Sequence, residues 1–94
     1  MTNYQINRLD TILRENGISM ICSTLAGEQS GFIYQFDSLN TENPVHEWFT
    51  KNTQIKGDTY RTETIYSAFV PSGKWTELVA FLQIPASNPR LAIR

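Results

Sequence analysis

The chain holds one thiol, Cys22, and one imidazole, His46. Together they are the raw material of a nucleophilic site. Such a site needs the ring within hydrogen-bond reach of the sulfur and a thiol pKa lowered by its surroundings. Cys22 lies in ISMICSTL, on what reads as the apolar face of a strand with Ile18 and Met20. A free thiol there is a small, inert hydrophobe. His46 falls in the first turn of a short helix and is expected in solvent. His46-Glu47 also opens like the helix of a zinc protease, but that helix carries a second His four residues on, and position 50 is Thr50. A metal site would have to rely on carboxylates, so neither a metal nor a cofactor is expected.

Ser72-Gly73-Lys74 is not a phosphate loop. That loop has Gly five residues before its Gly-Lys pair and Ser or Thr after the Lys; here the chain has Ala68 and Trp75. Glu63 and Glu77 can share acid and base roles only if they face each other across a cleft. A basic and aromatic set, Tyr60, Arg61, Lys74 and Trp75 with Lys56 nearby, has the composition by which a sheet grips a single strand. Glu63 and Glu77 fall on the same surface and oppose phosphate.

These residues must be placed by a small number of elements. In residues 3–16, Ile6, Leu9, Ile12 and Leu13 follow the spacing of one helical stripe, with Thr2 or Asn3 as cap and Asn16-Gly17 as stop. Residues 18–25 and 32–36 read as two strands of a hairpin, joined through the turn-like AGEQSG. NPVHEWFTKN reads as a second helix, with Asn43 as cap, Pro44 in the first position, and Val45, Trp48 and Phe49 on one face. Gly57-Asp58 is read as a break before the β-prone run TYRTETIYSAFV.

The segment after Val70 has two readings. Pro71-Ser72-Gly73 suits a hairpin loop and makes WTELVAFLQI a fourth strand, in a register that sets Glu77 opposite Ser67 and away from Glu63. Trp75, Leu78, Val79 and Leu82 also match helical spacing, with Ser72 as cap, so residues 74–84 are helical in the alternative. The turn residues and the β-prone composition favour the hairpin. The predicted fold is then α+β in the order αββαββ. Two helices cover one face of a four-stranded antiparallel sheet whose other face is Thr-, Ser- and Tyr-rich and partly open.

Composition sets the outer limits. Ninety-four residues with 40% apolar and 12% aromatic content suit one domain with a thin core, here residues 1–84 with an irregular tail over 85–94. A single cysteine allows no internal disulfide. No stretch approaches the roughly 20 apolar residues of a membrane span, and the first ten residues lack the pattern of a signal peptide. A cytoplasmic chain without membrane contact is expected. The net charge of -1 argues against general nucleic-acid binding. Its distribution is uneven: no Lys or Arg occurs between Glu15 and Thr50, whereas the chain from Lys51 onward is net positive.

The expected function is therefore not enzymatic. Small motif-free domains of this size are used by phages and plasmids to block host enzymes or defence complexes, and also serve as antitoxins or immunity proteins. The contacts expected are Glu28, Asp37, Glu42, Glu47 and Trp48, meeting a protein partner with a basic surface. The alternative is a single-stranded nucleic-acid binder using Tyr60, Arg61, Lys74 and Trp75. A homodimer, pairing through a sheet edge or face, is compatible with both.

Overall fold

The computed structural model describes residues 2–26 and 29–87. The order is α1 (Asn3–Glu15), β1 (Ile18–Ala26), β2 (Gln29–Phe36), α2 (Pro44–Asn52), β3 (Ile55–Tyr60), β4 (Glu63–Pro71) and α3 (Ser72–Phe81). The sheet is antiparallel throughout, in strand order β1-β2-β4-β3. The fold is thus mixed α+β, with a third helix where the favoured sequence reading set a strand.

The first helix is built as its sequence implies. Thr2 caps it in a reciprocal box with Gln5, whose side chain accepts from the Thr2 amide. Gly17 takes positive φ just past its end, the backbone that glycine tolerates best. Helix α2 likewise starts on Asn43, whose side chain accepts from the Val45 amide, with Pro44 next.

The β-prone run does not form one strand. Tyr60 pairs with Glu63, leaving Arg61 and Thr62 as a two-residue loop. Arg61 takes φ 62 at the first loop position, where glycine usually stands in tight hairpins. Gly57 and Asp58, read from sequence as a break, lie inside β3. Ser67 pairs with Lys56 on one side and Gln35 on the other, so Glu77 is nowhere in the sheet.

The strand expected after Val70 is instead α3, the alternative reading. Pro71 remains extended at the N-cap position, and Ser72, the first helical residue, donates to the Ser30 carbonyl rather than capping. Helical spacing then points Trp75, Leu78 and Val79 together into the core. The helix ends with Gln83 at φ 57 and the Ile84 amide bonded back to the Val79 carbonyl. Ile84 is buried, which ties the chain after α3 to the body. Residues 85–87 are exposed without regular structure, and the rest of the expected tail, 88–94, lies outside the described residues.

Strand alternation sorts the sheet into two unequal faces. Ile18, Phe32, Tyr34, Phe36, Ala68 and Val70 form one face, all buried. Helix residues Leu9, Leu13, Phe49, Trp75 and Leu78 join them in one core. Phe49 sits edge-on to both Phe36 (5.1 Å) and Tyr34 (5.5 Å), while Phe32 lies 5.8 Å from Trp75. Edge-to-face contacts of this kind add about 0.5–1.5 kcal/mol each beyond area burial.

Tyr34 is the polar exception in this layer. Its hydroxyl is buried and has no hydrogen-bond partner among the described residues. Burial pushes the phenol well above its ordinary 10.0; the nearby Trp75 offsets part of this and the Asp10 carboxylate adds to it. Tyr34→Phe is therefore expected to leave stability unchanged or raise it by about 1 kcal/mol at neutral pH, read by urea denaturation. Above the ordinary phenol value of 10.0 the unfolded chain loses a proton that the folded chain keeps. Wild-type stability should then fall as pH rises, and Tyr34→Phe should make that fall shallower.

Candidate functional site

The residues proposed for nucleophilic chemistry lie on opposite sides of the sheet. A register shift between Met20 and Cys22 inserts one extra residue, Ile21, into β1. Met20 pairs with Tyr34 on the covered face, but Cys22 pairs with Ile33 on the other. Cys22 is exposed rather than buried with Ile18 and Met20, and Ile21 beside it is 47% exposed.

His46 departs from expectation in the opposite sense. It is 3% exposed, packed edge-on to Phe36 at 5.3 Å on the helix-covered side. Its Nδ1 accepts from the Asn40 amide (3.1 Å), which places the proton on Nε2, donated to the Asn16 carbonyl (2.6 Å). Asn43 Nδ2 donates to Asn16 Oδ1 at 3.0 Å, and Asn16 Nδ2 donates to the Ile12 carbonyl. A partly buried polar network, centred on the buried His46, thus joins the end of α1 to the start of α2. Both ring nitrogens are occupied by backbone, so His46 holds structure and offers no free base.

The acidic set is dispersed. Asp37 and Glu42 are exposed at the two ends of the β2–α2 connector. Glu47 is exposed on α2 and pairs with Lys51 at 3.7 Å. Trp48 is buried against Phe49 and offers a partner little surface. Glu28 lies outside the described residues. Among the described residues, no group of three or more His, Cys, Asp or Glu side chains could hold a metal ion.

The basic and aromatic set also separates. Tyr60 is 75% exposed at the β3–β4 hairpin tip, and the Arg61 guanidinium lies 5.6 Å from its ring centroid. Lys74 stands on the first turn of α3, and Trp75 next to it is buried in the core.

What the fold does assemble is the second sheet face. Cys22, Ile33 and Phe69 form a row across β1, β2 and β4. The next rows carry Gln35, Ser67 and Lys56, then Ile65 and Asp58, then Glu63 and Tyr60. Ile65 is 43% exposed, and Ile33 and Phe69 are half-buried. No helix covers this face among the described residues. Gly31 makes room for the Phe69 ring: a Cβ there would strike both that ring and the Val70 carbonyl.

A groove of about 680 Å³ opens at one end of this face. Ile33, Phe69 and Pro71 give it an apolar floor. Lys51 from α2, Lys56 from β3 and Lys74 from α3 converge on it, with Asn52 beside them. No Asp or Glu of the described residues lines it. Sequence reading missed this grouping because it placed Lys74 on a fourth strand and so away from Lys51 in the second helix. The net positive charge after residue 50 was its visible trace.

No family model, curated protein or solved structure matches the chain.

Replacing His46 by Phe keeps a ring against Phe36 but leaves the Asn40 amide and the Asn16 carbonyl without their partner. A loss of about 1–3 kcal/mol is expected from the urea denaturation midpoint. An unchanged midpoint would show that the network does not hold α1 to α2.

Proposed function

We propose that the chain works by binding rather than by chemistry, as a small regulator or inhibitor that docks the uncovered face of its sheet on a protein partner. The observation that carries this reading is the concentration of accessible apolar side chains on and beside that face. Ile65, Ile33 and Phe69 lie on it, with Ile21 next to Cys22 at its β1 side. Apolar side chains left accessible on one sheet face, here interrupted by the Gln35–Ser67–Lys56 row, are the surface on which soluble domains meet partners. Size and the lack of a reactive constellation fit a protein that blocks another by covering it, as phage- and plasmid-borne inhibitors do.

The acidic residues have a secondary role in this reading. Asp37, Glu42 and Glu47 are exposed on the connector and α2, away from the apolar rows. From there they steer approach to a basic partner rather than form the centre of the contact. The Glu47–Lys51 pair is solvent-exposed and weak, so Glu47 remains available for this.

The test is affinity capture from an extract of the source organism with three baits, quantified by mass spectrometry. Wild type should retain a defined partner. Ile21→Lys with Ile65→Lys should lose it by about ten-fold or more, because a charge would then be buried at the contact. Asp37→Lys, Glu42→Lys and Glu47→Lys together should mainly weaken its salt-dependent part. Equal retention of every protein by the first two baits would overturn the reading.

A further inference from the structure

We infer that the groove beside α3 is a nucleotide site, with phosphate held by Lys51, Lys56 and Lys74 and the base laid on Phe69. The inference rests on the lysines, which the protein-docking reading does not use, although Ile33 and Phe69 belong to both surfaces. It begins from convergence. Three lysines from three separate elements line one concavity, and no carboxylate is among its described lining residues. Of charged residues the described lining itself carries lysines alone, while Glu47 and Glu77, which pair with two of them, stand outside it.

The cations call for an anion. Lysine ammonium groups are mobile point charges that bind phosphate well, without the planar fork by which arginine grips carboxylate or phosphate. No arginine lines the groove among the described residues. The floor narrows it further. Phe69 is half-buried, seated over Gly31 and flanked by Ile33 and Pro71, so a flat apolar body has a surface to lie on. Phosphate joined to a flat heteroaromatic ring is the chemistry of a nucleotide. The volume, about 680 Å³, lies within the ~300–1,000 Å³ of small-molecule sites.

The opposing groups are few and yielding. Lys51 pairs with Glu47 at 3.7 Å, and Lys74 reaches Glu77 Oε1 and Asn52 Oδ1, each at 3.4 Å. These contacts involve solvent-exposed chains, and phosphate can displace them. Lys56 has no ion pair among the described residues. Asp58, two residues further along the same face of β3, bounds the positive region. The C-terminal carbonyls of α2 also approach, but Asn52 and Thr53 side chains already donate to those of Trp48 and Phe49. Helix α3 starts on the same wall without a side-chain cap, so its positive pole adds to the lysines.

A nucleotide can arrive free or as part of a single strand, and two probes separate the sources. Fluorescence anisotropy of the full chain is measured at low salt with ribose-labelled ADP and with a short fluorescein-labelled oligothymidine. At least one probe should bind. The triple variant K51Q/K56Q/K74Q should weaken that binding by about ten-fold or more, with a shallower salt dependence. The charge-matched variant R8Q/R14Q/R61Q should retain it. F69L should weaken it while leaving competition by inorganic phosphate in place. Binding of ADP identifies a free nucleotide as sufficient; binding of the oligonucleotide alone identifies the strand. The inference is overturned if neither probe binds at millimolar protein, if both triple variants lose binding equally, or if an oligoglutamate peptide competes as well as ADP. Circular dichroism of each variant confirms that the fold is intact.

Discussion

The aromatic side chains of β2 govern this structure. Phe32, Tyr34 and Phe36 project from one side of that strand. They receive Phe49 from α2 and Trp75 from α3 at ring separations between 5.1 and 5.8 Å. Because β2 is one of the two central strands, whatever covers its aromatic side also covers Ala68 and Val70 on β4. A chain of 94 residues has apolar material for one such layer. Among the described residues the helices all lie where these rings are, and none lies on the other side of the sheet.

That asymmetry explains the secondary features. An uncovered sheet invites pairing and stacking, so its edges need protection. Edge strand β1 carries the Ile21 bulge, and edge strand β3 carries Lys56 and Asp58. Both interrupt a flat, apolar edge. The link between α1 and α2 is polar instead of apolar. His46 and Asn16 tie the two helices with partly buried hydrogen bonds, and this fixes the neutral imidazole tautomer without leaving a ring nitrogen free. The groups with reactive potential are thereby used for structure or exposed singly. In the reading proposed above, function falls to surfaces: the apolar rows around Ile33 and Ile65, and the basic groove at their end.

The first half of the fold was legible because its punctuation is conventional. Thr2, Asn16-Gly17 and Asn43-Pro44 each do what those residues do locally, so α1 and α2 could be placed to within a residue or two. The second half hides its punctuation. The β3–β4 loop turns at Arg61 and the α3 helix ends at Gln83, both with positive φ and neither a glycine. Pro71-Ser72-Gly73, the one stretch that looks like a turn, is instead the start of a helix. The visible signal pointed to a hairpin at residues 71–73 when the chain turns at 61–62, which displaced Trp75 and Glu77 into an imagined strand. The face assignment of Cys22 was lost to one bulged residue, since a single insertion reverses alternation beyond it. The burial of His46 depends on Asn16 and Asn40, and the first of these lies too far along the chain for any periodicity to reveal. The groove suffers the same limit: Lys51, Lys56 and Lys74 meet only once three elements are folded together.

The central claim is that no helix of the described residues covers one face of the sheet, and Cys22 reports on that face directly because it is the only thiol. The measurement is the rate at which a disulfide reagent such as DTNB labels the native protein, compared with the urea-unfolded protein under matched thiol ionisation. Labelling of the native chain at a rate close to that of the unfolded one, and insensitive to added stabilising salt, is the expected result. Labelling that proceeds only as fast as the protein globally unfolds would place Cys22 beneath a covering layer and contradict the account.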